Sequence, residues 1–266
     1  MVVMNNSKIN IHKGVLSIDV INTYHKLDED VNVKLFKIKF TEYVEYIAVL
    51  RSFLTPEENI RADKYYQEKD RNRFIISKVL LKFILAQEAG IPVSEISFEI
   101  TKHKKPLLKN HPNLHFNLSH AGDYAVIAIA NKPVGVDIEH SIKNFDFKAV
   151  LAHVFNAQEI DAVLNADDKK DVFYKFWTRK EAVVKATGQG IDDNFPKVPA
   201  LDGKHILNTS IWNEINNIEV FSFKMDDDYM GTVALTGNIK NNQELHFYPV
   251  PIAFDKLKML RNNNTK

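Results

Sequence analysis

The chain contains no cysteine. That absence removes disulfide staples, cysteine-ligated zinc or iron, and any thiol nucleophile. Nine glycines and nine prolines among 266 residues are too few for a fibrous or low-complexity chain. No apolar run approaches the roughly 20 residues that a membrane span needs. Charge of one sign is missing as well: 35 Lys+Arg stand against 34 Asp+Glu, so no overall basic field recruits nucleic acid. The opening Met1-Val2-Val3-Met4-Asn5-Asn6-Ser7 lacks the basic stretch, apolar stretch and cleavage site of a secretory leader. The expectation left by these exclusions is a soluble, cytoplasmic globular protein, without nucleic-acid or membrane partners and with enough chain to bury a core.

What is present reads as helices and short strands in two runs. Residues 1–33 show no clear period and are taken as an N-terminal extension. Lys34–Phe40 alternates partly and predicts a strand. Thr55, Pro56 and Glu58 have the spacing of an N-cap, a first-turn proline and a capping-box acid, which starts a helix over about 56–68. A second helix over about 70–89 ends at Gly90, with Pro92 beyond. Strands follow at 96–100, 115–118, 124–130 and 134–139. Asn156 and Glu159 cap a short helix to Leu164, and the apolar residues from Val172 to Val184 make 169–187 the clearest helix. Strands return at 218–225 and 229–235. The pattern predicts an α+β protein of two lobes, 34–132 and 133–250, with a frayed tail over 251–266.

Three segments carry chemistry. On a strand through Gly135-Val136-Asp137-Ile138-Glu139, the carboxylates of Asp137 and Glu139 project from one face, roughly 7 Å apart. Such a pair suits a hard divalent cation such as Mg²⁺, or it is a solvated acidic face. On the helix, Trp177, Glu181 and Lys185 share one side at i, i+4 and i+8. Either Glu181 completes a carboxylate trio and Lys185 faces an anion, or the two form a surface ion pair. In His115-Phe116-Asn117-Leu118-Ser119-His120, alternation sends Phe116 and Leu118 inward and gathers His115, Asn117 and Ser119 on a polar face with donors for phosphate oxygens. A zinc site is disfavoured by the histidine spacing, and a serine hydrolase by the lack of a Gly-x-Ser-x-Gly turn. Residues 61–110 also hold eleven lysines and arginines against six acids. Arg61, Arg71, Arg73, Lys102, Lys104, Lys105 and Lys109 are the members expected to be exposed, on a solvated face or against a polyanion.

In this order and at these separations, the segments resemble the Sfp-type 4′-phosphopantetheinyl transferases. The resemblance is carried by Gly135–Glu139, by Trp177-Thr178-Arg179-Lys180-Glu181 with Lys185 and Gly188-Gln189-Gly190, and by Phe116–His120. Lys105-Pro106 stands where that family has Gly-Lys-Pro, with Lys104 replacing the glycine. Glu58 stands where some members have a basic residue. The resemblance implies two pseudo-symmetric α+β halves with the active site in the cleft between them. It implies transfer of phosphopantetheine from coenzyme A to a serine of an acyl or peptidyl carrier protein, releasing adenosine 3′,5′-bisphosphate. By the same resemblance Asp137, Glu139 and Glu181 would hold Mg²⁺, and Lys185 would stabilise charge on the leaving phosphate. Glu181 would also act as general base, Asn117, Ser119 and His120 would meet the phosphates, and Arg61 and Lys105, with Arg73 a lesser candidate, would take the adenosine end. Phe145, Phe147 and Val150 are candidates for an apolar carrier-docking patch. A monomer is expected, since two halves complete one cleft. The competing readings are a Mg²⁺-dependent phosphodiesterase and a non-catalytic coenzyme A or carrier-binding module.

Overall fold

The computed structural model describes residues 6–20, 27, 33–142, 145–208, 217–226, 228–237 and 245–250. The tail expected to fray, 251–266, lies outside them. The chain begins with β1 (Asn6–Ile11) and β2 (Leu16–Ser17). Then come β3 (Val33–Lys39), α1 (Ile47–Arg51), α2 (Pro56–Asp63) and α3 (Glu68–Ala89). A small hairpin of β4 (Phe98–Ile100) and β5 (Pro106–Leu108) precedes the hairpin of β6 (His115–Ala121) and β7 (Tyr124–Ala130). The second run has β8 (Val134–His140), α4 (Lys148–Val154), α5 (Ala157–Leu164), α6 (Lys169–Thr187), β9 (Gly203–Asn208), β10 (Asn217–Met225) and β11 (Tyr229–Thr236). Among the described residues no helix is long and apolar enough to cross a membrane.

The two runs repeat one topology. In the first, β3 leads through α3 to the β6–β7 hairpin, in the sheet order β3-β7-β6. In the second, β8 leads through α6 to the β10–β11 hairpin, in the order β8-β11-β10. Each sheet is covered on one face by its own long helix: α3 packs with Ile38, Ile127 and Ile129, and α6 with Ile218, Val220 and Ala234. The other faces meet, so Val126 and Ala128 of β7 share a core with Val134, Val136 and Ile138 of β8. The layers are therefore helix, sheet, sheet, helix. This is why β7 is buried along its whole length and reads Tyr-Ala-Val-Ile-Ala-Ile-Ala instead of alternating.

Sequence and structure differ in places with clear causes. The N-terminal segment without a visible period supplies β1, which pairs parallel with β10 and antiparallel with β9 and so widens the second sheet. The first helix stops at Asp63 rather than near 68, because Gln67 turns to extended backbone and starts α3. Its predicted start is present in full: Thr55 Oγ1 accepts from Glu58 N, and the Glu58 carboxylate accepts from Thr55 N. The β4–β5 turn is closed by Lys104 N to Thr101 O, 2.9 Å, and Lys105 N to Thr101 Oγ1, 3.0 Å.

Within that turn Lys104 adopts φ +64°, the left-handed region that glycine occupies freely. A side chain there costs about 1–2 kcal/mol, partly offset by the lesser freedom of lysine in the unfolded chain. Lys104→Gly should therefore raise stability by about 0.5–1 kcal/mol, seen as a higher urea midpoint with unchanged slope. A lower midpoint would mean that the Lys104 side chain stabilises the turn more than its backbone strains it.

Candidate active site

The site is built on β8. Val134, Val136 and Ile138 bury against the first half, and the opposite face carries Gly135, Asp137 and Glu139. α6 lies on that face, burying Gly135 and Asp137 and leaving Glu139 half-buried. A Cβ on Gly135 would stand 2.0 Å from Ala182 O and 2.4 Å from Ala186 N, so only glycine admits the helix this close. Asp137 is 3% exposed as a result.

The face of α6 at i, i+4 and i+8 meets these acids. Trp177 Nε1 donates to Glu139 Oε1 at 3.1 Å. Lys185 Nζ donates to Asp137 Oδ1 at 2.6 Å. Glu181, between them, is close enough for its charge and that of Asp137 to repel. The neighbouring Arg179 and Lys180 point the other way and are fully buried. Arg179 donates to Ser222, Ala200 O and His12 O and pairs with Asp202. Lys180 pairs with Glu159 at 2.8 Å. These two basic residues hold α6 in place and do not face the acids.

From the first half, β6 brings Asn117 and Ser119. Asn117 Oδ1 accepts from Val136 N at 2.9 Å, and Ser119 Oγ accepts from Ile138 N at 3.3 Å. Ser119 also donates to Asp137 Oδ1 at 2.8 Å and receives Lys185 Nζ at 3.1 Å. The polar face predicted for this strand thus bonds to β8 and, through Asp137, to the catalytic candidates.

On the first half, a cavity of about 570 Å³ is walled by α2, α3, β5 and β6. Arg61, Arg73, Lys78 and His120 give it charge and polarity, and Phe74, Leu81 and Phe116 give it apolar surface. Two of its buried polar atoms, Arg73 Nε and Ser77 Oγ, have no hydrogen-bond partner. Asn117 also lines it and links it to β8. Burial, followed by the charges of Arg73 and Lys185, lowers the pKa of His120. Lys105 is not in this wall: its ammonium donates to the carbonyls of Lys185, Ala186 and Val134. Lys78 and Ser77 escaped the sequence reading, because a helix serine and lysine carry no motif and read as ordinary helix residues. Glu58 binds Lys78 and Lys82, so it trims the positive charge of this wall. Of the docking candidates, Phe145 is 40% exposed, while Phe147 and Val150 pack on the second core.

The donor chemistry fits a hard divalent cation. Asp137 Oδ2 is a buried carboxylate oxygen without a hydrogen-bond partner, and all three acids offer oxygen alone. The acids are coupled rather than gathered: among the described residues no three potential ligands are drawn together around one point. Lys185 is the cation that Asp137 holds here. Burial raises the pKa of Asp137 against the pull of Lys185. Burial, then the charge of Asp137, raises Glu181. The same two causes push Glu139 up to about 7.

A carboxyl with a raised folded pKa keeps its proton in the native state after the unfolded chain has ionised. Stability from Glu139 therefore falls as pH rises from about 4.5 to about 7 and is level outside that window. Glu139→Gln, which still accepts from Trp177, should be more stable than the parent at pH 8 in EDTA, by on the order of 1–3 kcal/mol. The difference should vanish below pH 4 in urea titrations. A variant less stable at pH 8 would contradict the burial of a strained acid here.

Two family models match adjoining parts of the chain. One, described as 4′-phosphopantetheinyl transferase, N-terminal, matches residues 41–132. The other, the 4′-phosphopantetheinyl transferase superfamily, matches residues 133–233. The chain is 35% identical over 147 residues to the 4′-phosphopantetheinyl transferase psf-1 of Bacillus pumilus, covering 54% of this chain and 62% of that protein. It is 29% identical over 142 residues to the 4′-phosphopantetheinyl transferase Sfp of Bacillus subtilis, covering 53% and 62%. To the L-aminoadipate-semialdehyde dehydrogenase-phosphopantetheinyl transferase of Mus musculus it is 30% identical over 162 residues, covering 55% and 52%. The matched segments thus span somewhat less than two thirds of these relatives. With both models matched in succession on two halves of one topology, the chain belongs to the Sfp-type 4′-phosphopantetheinyl transferase superfamily.

Proposed function

We propose that this protein transfers the 4′-phosphopantetheine group of coenzyme A to a serine of an apo acyl or peptidyl carrier protein, releasing adenosine 3′,5′-bisphosphate. The observation that carries the reading is the meeting of β8 and α6, where the buried Asp137, the half-buried Glu139 and Glu181, and Lys185 stand beside a cavity with cationic and apolar walls. The cavity suits a nucleotide. Its apolar side chains match a base, and Arg61, Arg73, Lys78 and His120 match phosphates. Asn117 and Ser119 lie between the cavity and the acids, where a pyrophosphate would pass.

In this reading Asp137, Glu139 and Glu181 would hold Mg²⁺, which would supply charge neutralisation for the pyrophosphate. Lys185 moves its ammonium from Asp137 to the phosphate oxygens as negative charge gathers on the leaving group. Glu181, whose raised pKa makes it a stronger base than an exposed carboxylate, accepts the proton of the carrier serine. The serine oxygen then bonds to phosphorus, and the bond from that phosphorus to the oxygen bridging to the nucleotide phosphate breaks. Phe145 and the nearby Ile142, both exposed, are the apolar contacts this reading gives the carrier. A monomeric, cytoplasmic enzyme completes the proposal.

The test is intact mass spectrometry of an apo carrier after incubation with the protein, coenzyme A and Mg²⁺. The expected result is one added phosphopantetheine, lost with EDTA. Coenzyme A consumed with no carrier loaded would favour the phosphodiesterase instead, and coenzyme A bound but intact the binding module. Glu181→Ala should lower turnover at least about a hundredfold, the scale of general base catalysis, while coenzyme A still binds in calorimetry. Wild-type turnover in that variant would remove Glu181 from the chemistry.

A further inference from the structure

We infer that Lys105 is a positioning residue that clasps the end of α6 and the start of β8, and that it does not grip a substrate phosphate. Its ammonium stands 2.6 Å from Lys185 O, 3.0 Å from Ala186 O and 3.3 Å from Val134 O. An ammonium has three protons, and these carbonyls use all of them. Two of the acceptors lie in the last turn of α6, where carbonyls lack intrahelical partners and the helix dipole is negative. The stem fits the same end. Gly188 closes α6 in the left-handed region at φ +73°, and a Cβ there would stand 3.2 Å from Lys105 Cδ. Successive residues divide the work, since Pro106 lines the cavity while Lys105 reaches away to α6.

The consequence lies in what the three carbonyls belong to. Lys185 and Ala186 carry the last turn of the helix whose lysine meets Asp137, and Val134 opens the strand that carries Asp137. The clasp runs from the β4–β5 hairpin of the first half to both of these elements of the second. It fixes the cavity wall at Pro106 relative to the Lys185–Asp137 pair. The partners are neutral carbonyls, and among the described residues no carboxylate is paired to Lys105, so burial lowers its pKa to about 8. A half-buried cation held by main-chain carbonyls belongs to the frame of the site.

Lys105→Met tests this, first without any activity. By hydrogen exchange and mass spectrometry, peptides over 184–190 and 134–137 should exchange about tenfold faster or more, while those over 75–86 in α3 stay unchanged. Unchanged exchange at the end of α6 overturns the clasp. The kinetic part rests on the transferase reading. With carrier as acceptor, Lys105→Met should lower kcat and leave unchanged the ratio of KM for coenzyme A to KM for its 3′-dephospho form. A changed ratio would make Lys105 a phosphate ligand and overturn the inference. Because the clasp acts through Lys185, Lys105→Met should cost little further kcat when added to Lys185→Met. Additive losses would mean a merely structural role and also overturn it. If the wild-type protein loads no carrier, the transferase reading fails while the exchange result still decides the clasp. Should Lys105→Met not fold, Lys105→Gln, which keeps a shorter donor, reads the same comparisons.

Discussion

Everything at the site depends on how two strands from different sheets are joined. β6 and β8 lie side by side, yet side chains link them instead of a main-chain ladder. Asn117 and Ser119 are two residues apart on β6, and they accept from Val136 and Ile138, two residues apart on β8. The period of two on each strand makes the match possible. It satisfies buried N–H groups at the edge of β8 that would otherwise cost about 1–3 kcal/mol each. It also leaves the Ser119 hydroxyl proton free to bond Asp137, so the joint between halves and the orientation of the key acid are one network.

That network explains how Asp137 can be buried with two half-buried acids, Glu139 and Glu181, beside it. Asp137 is enclosed by α6, β6 and its own strand, and one of its oxygens is satisfied by Ser119 and Lys185 together. Its second oxygen has no partner, and Glu139 and Glu181 feel its charge. Desolvation and like charge both disfavour full ionisation of the trio. One lysine cannot neutralise three carboxylates. The arrangement is therefore short of positive charge, and an added cation would relieve a repulsion that the fold alone maintains. The close packing of Gly135 on α6 keeps the acids from relaxing apart.

Much of this was legible because it is local. Alternation separated Val136 and Ile138 from Asp137 and Glu139, and helical spacing aligned Trp177, Glu181 and Lys185. The capping residues located the starts of α2 and α5, and the apolar face located α6. What the sequence could not reveal depends on partners far along the chain. Lys34 reads as a surface residue of a half-alternating strand, yet it is fully buried against Glu88, 54 positions away. β1 has too few apolar residues to stand out, and its place is set by β9 and β10, near the other end of the chain. From sequence the acidic face of β8 reads either as a cation site or as a solvated face, because periodicity identifies a face but not what covers it.

The basic run over 61–110 shows the same limit in charge. Counted along the chain, it is a patch with an excess of positive charge. In the fold much of that excess is already engaged: Lys78 and Lys82 by Glu58, Arg73 by Asp70, Lys69 by Asp123, and Lys105 by carbonyls. The partners differ in strength, and that decides which cations a ligand can recruit. Lys82 is buried and held by Glu58 and a main-chain carbonyl, so it stays. Lys78 is 3.3 Å from Glu58 and pressed over the ring of Phe98, and burial lowers its pKa. An anion in the cavity would improve its surroundings. Arg61, exposed at the rim, places its guanidinium carbon 5.2 Å from the centre of the Phe74 ring. The cavity thus draws its positive potential from Arg61 and Lys78, which the protein satisfies weakly, and from Arg73, which Asp70 partly offsets, while Lys82 holds its wall in place.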